Sequence, residues 1–401
     1  MNSSLLAPAV AEALTRSSWI RKMFEAGAAL KAQYGADQVY DFSLGNPDLP
    51  PPPGMADALR EIAATLDRPM ALGYMPNAGY PHVREALAAL ATAEQGVACT
   101  AGDLVVTCGA AGAINSFFRA VLEPGDRVLA LAPYFVEYGA YTANHGGVLD
   151  TVACKETDFS LDLEAIEAAL ARGETRALIL NSPNNPTGQV YTAEEIQALG
   201  ELLRAASARQ RRPVFLLCDE PYRFLTYDGL AVPSVLPYYE HAVVATSFSK
   251  NLSLAGERVG YLLVNPAMAG KQGLLDGVIL ANRILGYVNA PAIGQLLAAR
   301  CLPALRESQQ VPIYQRRRDC MADVLRQAGV EFFLPKGAFY FFPKAPGGDD
   351  LAYVAKLQAQ RILAVPGRGF GMPGFVRLAY CVDEAVIEGA RSGFLQVSKE
   401  G

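Results

Sequence analysis

Six short apolar runs punctuate the first two-thirds of the chain: DLVVT (103–107), RVLALA (127–132), RALILN (176–181), VFLLCDE (214–220), AVVATS (242–247) and GYLLV (260–264). Their apolar positions are nearly continuous rather than alternating, the mark of strands covered on both faces. Between several of them apolar residues recur at helical spacing, in INSFFRAVL, LDLEAIEAALARG and AEEIQALGELLRAASARQ. Strands alternating with amphipathic helices predict an α/β fold on a mostly parallel sheet. This pattern holds over about residues 51–294, the expected large domain. From about 295 it changes. A long helical stretch (292–329) leads into the short strands FYFFPK and FVRLAY. Residues 295–401, with the N-terminal 1–50, are expected to form a smaller α+β domain. The N-terminal part carries the helical WIRKMFEAGAALKAQYG and ends in SLGNPDLPPPPG, whose prolines forbid helix.

Composition narrows the function classes. A chain of 401 residues exceeds one small core, which agrees with two domains. A net charge of −5 without a long basic block argues against nucleic-acid binding. The seven cysteines are scattered, with no CxxC pair, and suit a reduced cytoplasmic chain better than a disulfide framework or a zinc site. His82, His145 and His241 show no ligand spacing, so no metal site is expected and each is read as a surface or packing residue. MNSSLLAPAVAEALTRSSW lacks the basic start and apolar core of a secretory leader, and no stretch is apolar enough to span a membrane.

Ligands of open parallel sheets gather beyond the carboxyl ends of the strands, so the residues after each run carry the chemistry. CGAAGAIN follows the first run. Small residues opening a helix leave bare N–H groups that favour an anion, although tight packing asks for the same residues. PYFVEY follows the second and sets Tyr134 where it could stack on a flat ring or simply pack. SPNNPTG is a turn by composition, and the Asn185 amide could also donate to a ring oxygen. DEPY puts Asp219, Glu220 and Tyr222 after a buried strand. A carboxylate there needs a cation, either from the protein or from a protonated pyridine nitrogen. SFSK delivers Lys250 beside Ser247 and Ser249, and a desolvated lysine is a nucleophile. The same four residues read as the SxxK of serine acyl-enzymes, but the SDN and KTG partners of that chemistry are missing from the sequence. A phosphate cradle, a stacking ring, an amide, a carboxylate with a tyrosine, and a lysine share one ligand: pyridoxal phosphate.

The blocks SLGNPD, YMPNAGYPHVREALA, VTCGAAGAI, NSPNNPTG, CDEPY, SFSKNLSLAGERVGY, PKGAFYFF and FVRLAY occur in this order. With them the chain resembles the class I (fold type I) aminotransferases, aspartate aminotransferase-like, over essentially its whole length. The resemblance implies a seven-stranded, mostly parallel sheet flanked by helices, a homodimer, and ping-pong transfer of an amino group from an L-amino acid to a 2-oxo acid. It implies that Lys250 holds the cofactor covalently, that Asp219 keeps the pyridine nitrogen protonated, and that Tyr222 and Asn185 bond the ring hydroxyl. Tyr134 would stack on the ring. The backbone at Gly109, Ala110 and Ala111 would hold the phosphate with Ser247, Ser249 and Arg258, and Tyr74 would reach the phosphate of a partner subunit. Arg377 resembles the arginine that clamps the substrate carboxylate, assisted by Asn185 and the Gly45 backbone. Other enzymes of the fold, such as a carbon–sulfur β-lyase, a cyclopropane-forming synthase or an oxidase, share these residues, and a cofactor-sensing module is a further alternative. For substrate choice, Ala111 stands where some aspartate-type relatives carry a lysine. Arg283, in ANRILGYVNAP, lies near but not at the place of another relative type's distal-carboxylate arginine. Trp19, Ile20, Phe339 and Tyr340 are expected to line the side-chain pocket.

Overall fold

A computed structural model describes residues 5–8, 10–11, 19–307 and 309–399. Its contacts divide the chain into two compact units. One is Asn46–Ile313 with Lys336–Ala338. The other joins the described residues up to Gly45, Tyr314–Pro335, and the described residues from Phe339 on.

The larger unit is built on seven strands: β1 (Leu104–Thr107), β2 (Arg127–Ala132), β3 (Val148–Ala153), β4 (Thr175–Asn181), β5 (Phe215–Asp219), β6 (Ala242–Ser247) and β7 (Gly260–Val264). They lie in the order β1-β7-β6-β5-β4-β2-β3, and only β7 runs antiparallel to its neighbours. All six apolar runs are strands. The seventh, β3, is an edge strand whose residues are partly or wholly exposed, so VLDTVA never shows the continuous apolar signature.

Eight helices of this unit matter here: α1 (Met55–Ala63), α2 (Pro81–Gln95), α3 (Gly109–Val121), α4 (Tyr138–Ala143), α5 (Leu163–Leu170), α6 (Ala193–Arg209), α7 (Lys271–Ile284) and α8 (Ala292–Cys301). α3 packs on β6 and β7 and against α7. Its Phe117 meets Phe215 of β5 edge-on, with ring centroids 5.3 Å apart. α6 starts at a capping box in which Thr192 and Glu195 satisfy each other's backbone N–H groups.

The expected change of organisation near residue 295 falls inside α8, which packs on α1 and α2 of the larger unit. The helical stretch of 292–329 is three pieces: α8, a 3-10 segment Leu302–Glu307 and a helix Gln310–Gln327. Pro303 lacks the N–H that would continue α8. In the smaller unit, Tyr40–Asp41 pairs in parallel with Ile362–Leu363. Val376–Ala379 lies between Val365–Pro366 and Tyr340–Phe341 in an antiparallel sheet. Among the described residues no helix is long and apolar enough to cross a membrane.

Candidate active site

Parallel pairing of β2, β4, β5 and β6, with β7 antiparallel to both β6 and β1, sets the carboxyl ends of β1, β2, β4, β5 and β6 along one edge of the sheet. Five of the sequence-predicted groups follow from that register. Asn181, the last residue of β4, ties two of them together. Its Nδ2 donates to the Asp219 carbonyl at 2.8 Å, and its Oδ1 accepts from the Asn185 N–H at 2.7 Å. The turn that carries Asn185 is thereby hung on the end of β5. It is closed by Thr187, whose N–H and hydroxyl both donate to Asn184 Oδ1.

Two neighbouring carboxylates end β5, and they differ. Glu220 is 4% exposed, and its Oε2 accepts from Arg223 Nη1 at 3.1 Å and from Gln95 Nε2 at 2.8 Å. Asp219 is 6% exposed, and among the described residues its carboxylate has only the Tyr138 hydroxyl, which donates to Oδ2 at 2.6 Å. Its Oδ1 is buried with no hydrogen-bond partner. Burial pushes the Asp219 carboxyl up to about 6. The Tyr138 bond opposes the rise and the Glu220 charge adds to it. Glu220 therefore belongs to a structural pair, whereas no cation among the described residues pairs with Asp219. Tyr138, at the start of α4, is the site residue that sequence reasoning missed. It lies 81 positions from Asp219, and nothing in PYFVEYGAY marks it out from its neighbours.

The end of β1 leads into the start of α3. Gly109 opens α3 at φ 70°, where its Cβ would stand 3.0 Å from Arg258 Nη2. The first N–H groups of the helix, at Gly109, Ala110 and Ala111, have no intrahelical acceptor. Gly260, the first residue of β7, allows the backbones to close up: a Cβ there would come within 2.9 Å of the Gly109 Cα. Arg258 is held by a bond from Nη1 to the Ala255 carbonyl at 3.1 Å. Ser247 and Ser249 are buried, and Lys250, in the turn after β6, is half-buried. Tyr222 and Asn185 are buried, while Tyr134 is half-buried against the core with its phenol pushed up by burial.

In the smaller unit, Arg377 is 2% exposed at the middle of its sheet. Its guanidinium carbon lies 4.9 Å from the centroid of Tyr340 and 4.8 Å from that of Phe370, and Nη2 donates to the Ser43 carbonyl at 2.7 Å. Gly45 is required beside it, because a Cβ would overlap the Tyr340 hydroxyl. Tyr340 thus packs on the arginine and Phe339 is wholly buried. The side chains of Trp19 and Ile20 lie outside the described residues. Tyr74 is 88% exposed, and Arg283 is exposed in the last turn of α7. The histidines serve packing: His145 meets the Asn115 amide, His82 stacks on Tyr80, and His241 packs on Phe215 and Tyr239. No cluster of metal-ligating side chains occurs among the described residues.

Comparison with known proteins agrees with this geometry. The model of the family "Aminotransferase class I and II" matches residues 37–393. The aspartate/prephenate aminotransferase of Thermus thermophilus is 32% identical over 369 residues, covering 88% of this chain and 90% of that protein. The aspartate aminotransferase of Thermotoga maritima is 31% identical over 368 residues, covering 90% and 92%. Among solved structures, an aminotransferase from Eubacterium rectale superposes with a TM-score of 0.93 at 37% identity, covering 98% of this chain and 99% of that one.

Proposed function

This chain belongs to the class I and II aminotransferases, and we propose that it moves the amino group of an α-amino acid to a 2-oxo acid through Lys250, Asp219 and Arg377. The family implies pyridoxal phosphate as cofactor, and the residues present fit it at both ends. The orphaned Oδ1 of Asp219 suits the N–H of a protonated pyridine. The bare start of α3 under Arg258 suits a phosphate, since helix N–H groups and a guanidinium fork both favour that anion. Ser247 and Ser249 are assigned to the same phosphate, Tyr222 and Asn185 to the ring hydroxyl, and Tyr134 to the ring face.

When bound, the cofactor supplies an electron sink for charge that develops at the substrate Cα. The chain's own groups do the rest. Lys250 Nζ is the attachment point and the base that takes the Cα proton. Asp219 holds its negative charge where water cannot screen it, which keeps the ring nitrogen protonated. Arg377 takes the substrate α-carboxylate. Its stacking on Tyr340 and Phe370 and its bond to Ser43 fix the guanidinium before substrate arrives. Asn185 and the Gly45 backbone assist it.

We further propose a homodimer. Leu72 and Tyr74 are exposed on one side of a shallow surface cleft with Tyr287 and Val288, and Met70 is 79% exposed on the same segment. Apolar surface of this kind marks an interface, and Tyr74 would complete the partner's phosphate site. Seven free cysteines support a reducing cytoplasm as its compartment.

The single observation that carries this reading is the buried Asp219 carboxylate without a protein cation. The test is a spectrum. Amino acids are added one at a time to the cofactor-loaded protein without any oxo acid. The expected result is loss of the yellow absorbance band and its return on adding a 2-oxo acid. Persistence of the band, with ammonia and pyruvate accumulating, would contradict it. Lys250→Ala should lose at least 10²–10⁴-fold in turnover, the usual contribution of a positioned acid–base group.

A further inference from the structure

At the amino ends of β2 and β4, opposite the strand ends just described, lies a cleft of about 620 Å³, within the usual size of a small-molecule site. It is walled by the segments before β2 and β4 and by the chain leaving α6. Five guanidinium groups line it: Arg127, Arg176, Arg209, Arg211 and Arg212. Two are neutralised. Asp150 takes Arg127 through two bonds, one of 2.8 Å, with Glu174 3.7 Å away. Asp126 takes Arg212, with Glu123 at 3.5 Å. The other three have no carboxylate partner among the described residues.

Arg209 stands in the last turn of α6, where the helix dipole favours a cation, so its charge has a local reason. Arg176 has none. Its guanidinium lies 4.6 Å from the centroid of Phe215. Nε donates to the Val121 carbonyl at 3.2 Å and Nη1 to the Pro213 carbonyl, which leaves Nη2 without an acceptor among the described residues. Burial and the like charge of Arg212 push it down to about 10, against the pull of Asp126 and Glu123. Against the four carboxylates Asp126, Asp150, Glu123 and Glu174, the five guanidinium groups leave one excess positive charge at this concavity, in a chain of net charge −5. A guanidinium fixed by a ring and two carbonyls keeps Nη2 as a charge-assisted donor for a phosphate oxygen.

We propose that this cleft binds a small phosphate-bearing polyanion, held by Arg176 from within and by the exposed Arg209 and Arg211 from the rim. The site is separate from the cofactor cradle at the other end of the strands, and nothing in the transfer reaction uses it. The probe is inorganic pyrophosphate, titrated calorimetrically into the cofactor-loaded protein at low salt. Loading keeps the cradle at Gly109 filled, and a chain that took up no cofactor would be recognised from its spectrum before titration began. The expected result is saturable binding at one site per chain, with the cofactor band unchanged. The double variant Arg209→Gln/Arg211→Gln, at two exposed positions, should raise Kd roughly tenfold or more, because charge-assisted bonds are the strong ones. Absence of saturable binding, equal affinity in the double variant, or binding that displaces the cofactor would overturn the proposal.

Discussion

Asp219 and Glu220 adjoin at the end of β5, both nearly excluded from water, yet the chain treats them differently. Successive residues of an extended segment face opposite ways. Glu220 turns to a prepared partner, the Arg223 guanidinium, with Gln95 as second donor. Arg223 is itself fixed by bonds to the carbonyls of Glu94 and Val232. Asp219 turns to a tyrosine hydroxyl and leaves one oxygen unsatisfied. Burying a carboxylate without a cation is costly, and a fold that satisfies the adjacent residue so fully had the means to satisfy this one. The difference separates a carboxylate that holds the fold together from one that lacks a bonded cation among the described residues, the one proposed above to meet a cation from outside the chain.

The comparison breaks most forcefully at Glu220. Glu220→Ala takes from the buried Arg223 its bonded carboxylate, leaving it the Coulombic pull of Glu94, and should destabilise the protein by about 3 kcal/mol, read as a lowered denaturant midpoint with or without cofactor. Asp219→Asn should do the reverse. Turnover should fall about 10²–10³-fold, the cost of removing one electrostatic contact from a preorganised site, while the cofactor-free protein gains stability near pH 7. The sign follows from the raised carboxyl. A group that moves from 3.8 in the unfolded chain to about 6 in the folded one stabilises least above pH 6. Stability of the cofactor-free wild type should therefore decline by about 3 kcal/mol in all as pH rises from about 3 to 7. The Asn variant should lack that slope in a pH series of urea melts. Tyr138→Phe should be milder. It removes the bond that lowers the Asp219 carboxyl, so the acid limb of the kcat–pH profile should move to higher pH, with a loss of about 1–3 kcal/mol from the unmet oxygen. Smallest is Gly109→Ala, at φ 70° with Arg258 Nη2 3.0 Å from the new Cβ. About 1–2 kcal/mol of strain should appear as weaker cofactor retention, measured by dialysis, with little change in the Glu220 pair.

Much of this was legible in the sequence because buried parallel strands announce themselves. The six continuous apolar runs are all strands, and the rule that ligands sit beyond their carboxyl ends selected Tyr134, Asn185, Asp219 and Lys250. Val148–Ala153 was not legible, since an exposed edge strand carries no continuous apolar run. Pro303 interrupts a helical stretch that periodicity alone reads as unbroken. The two states of Asp219 and Glu220 could not be read either. Both are acids after the same strand, and what divides them is Gln95, Arg223 and Tyr138, brought together by tertiary folding. Gly45 likewise reveals its reason only through Tyr340, far along the chain.

The claim that Asp219 is kept for a ring nitrogen is tested most directly by binding two cofactors to the cofactor-free protein: pyridoxal phosphate, and its analogue with carbon in place of the ring nitrogen. Wild type should prefer the nitrogen-bearing compound by at least roughly tenfold, the equivalent of 1.4 kcal/mol from one charged contact, and Asp219→Asn should lose that preference. Equal affinity of the wild type for both compounds would contradict the account.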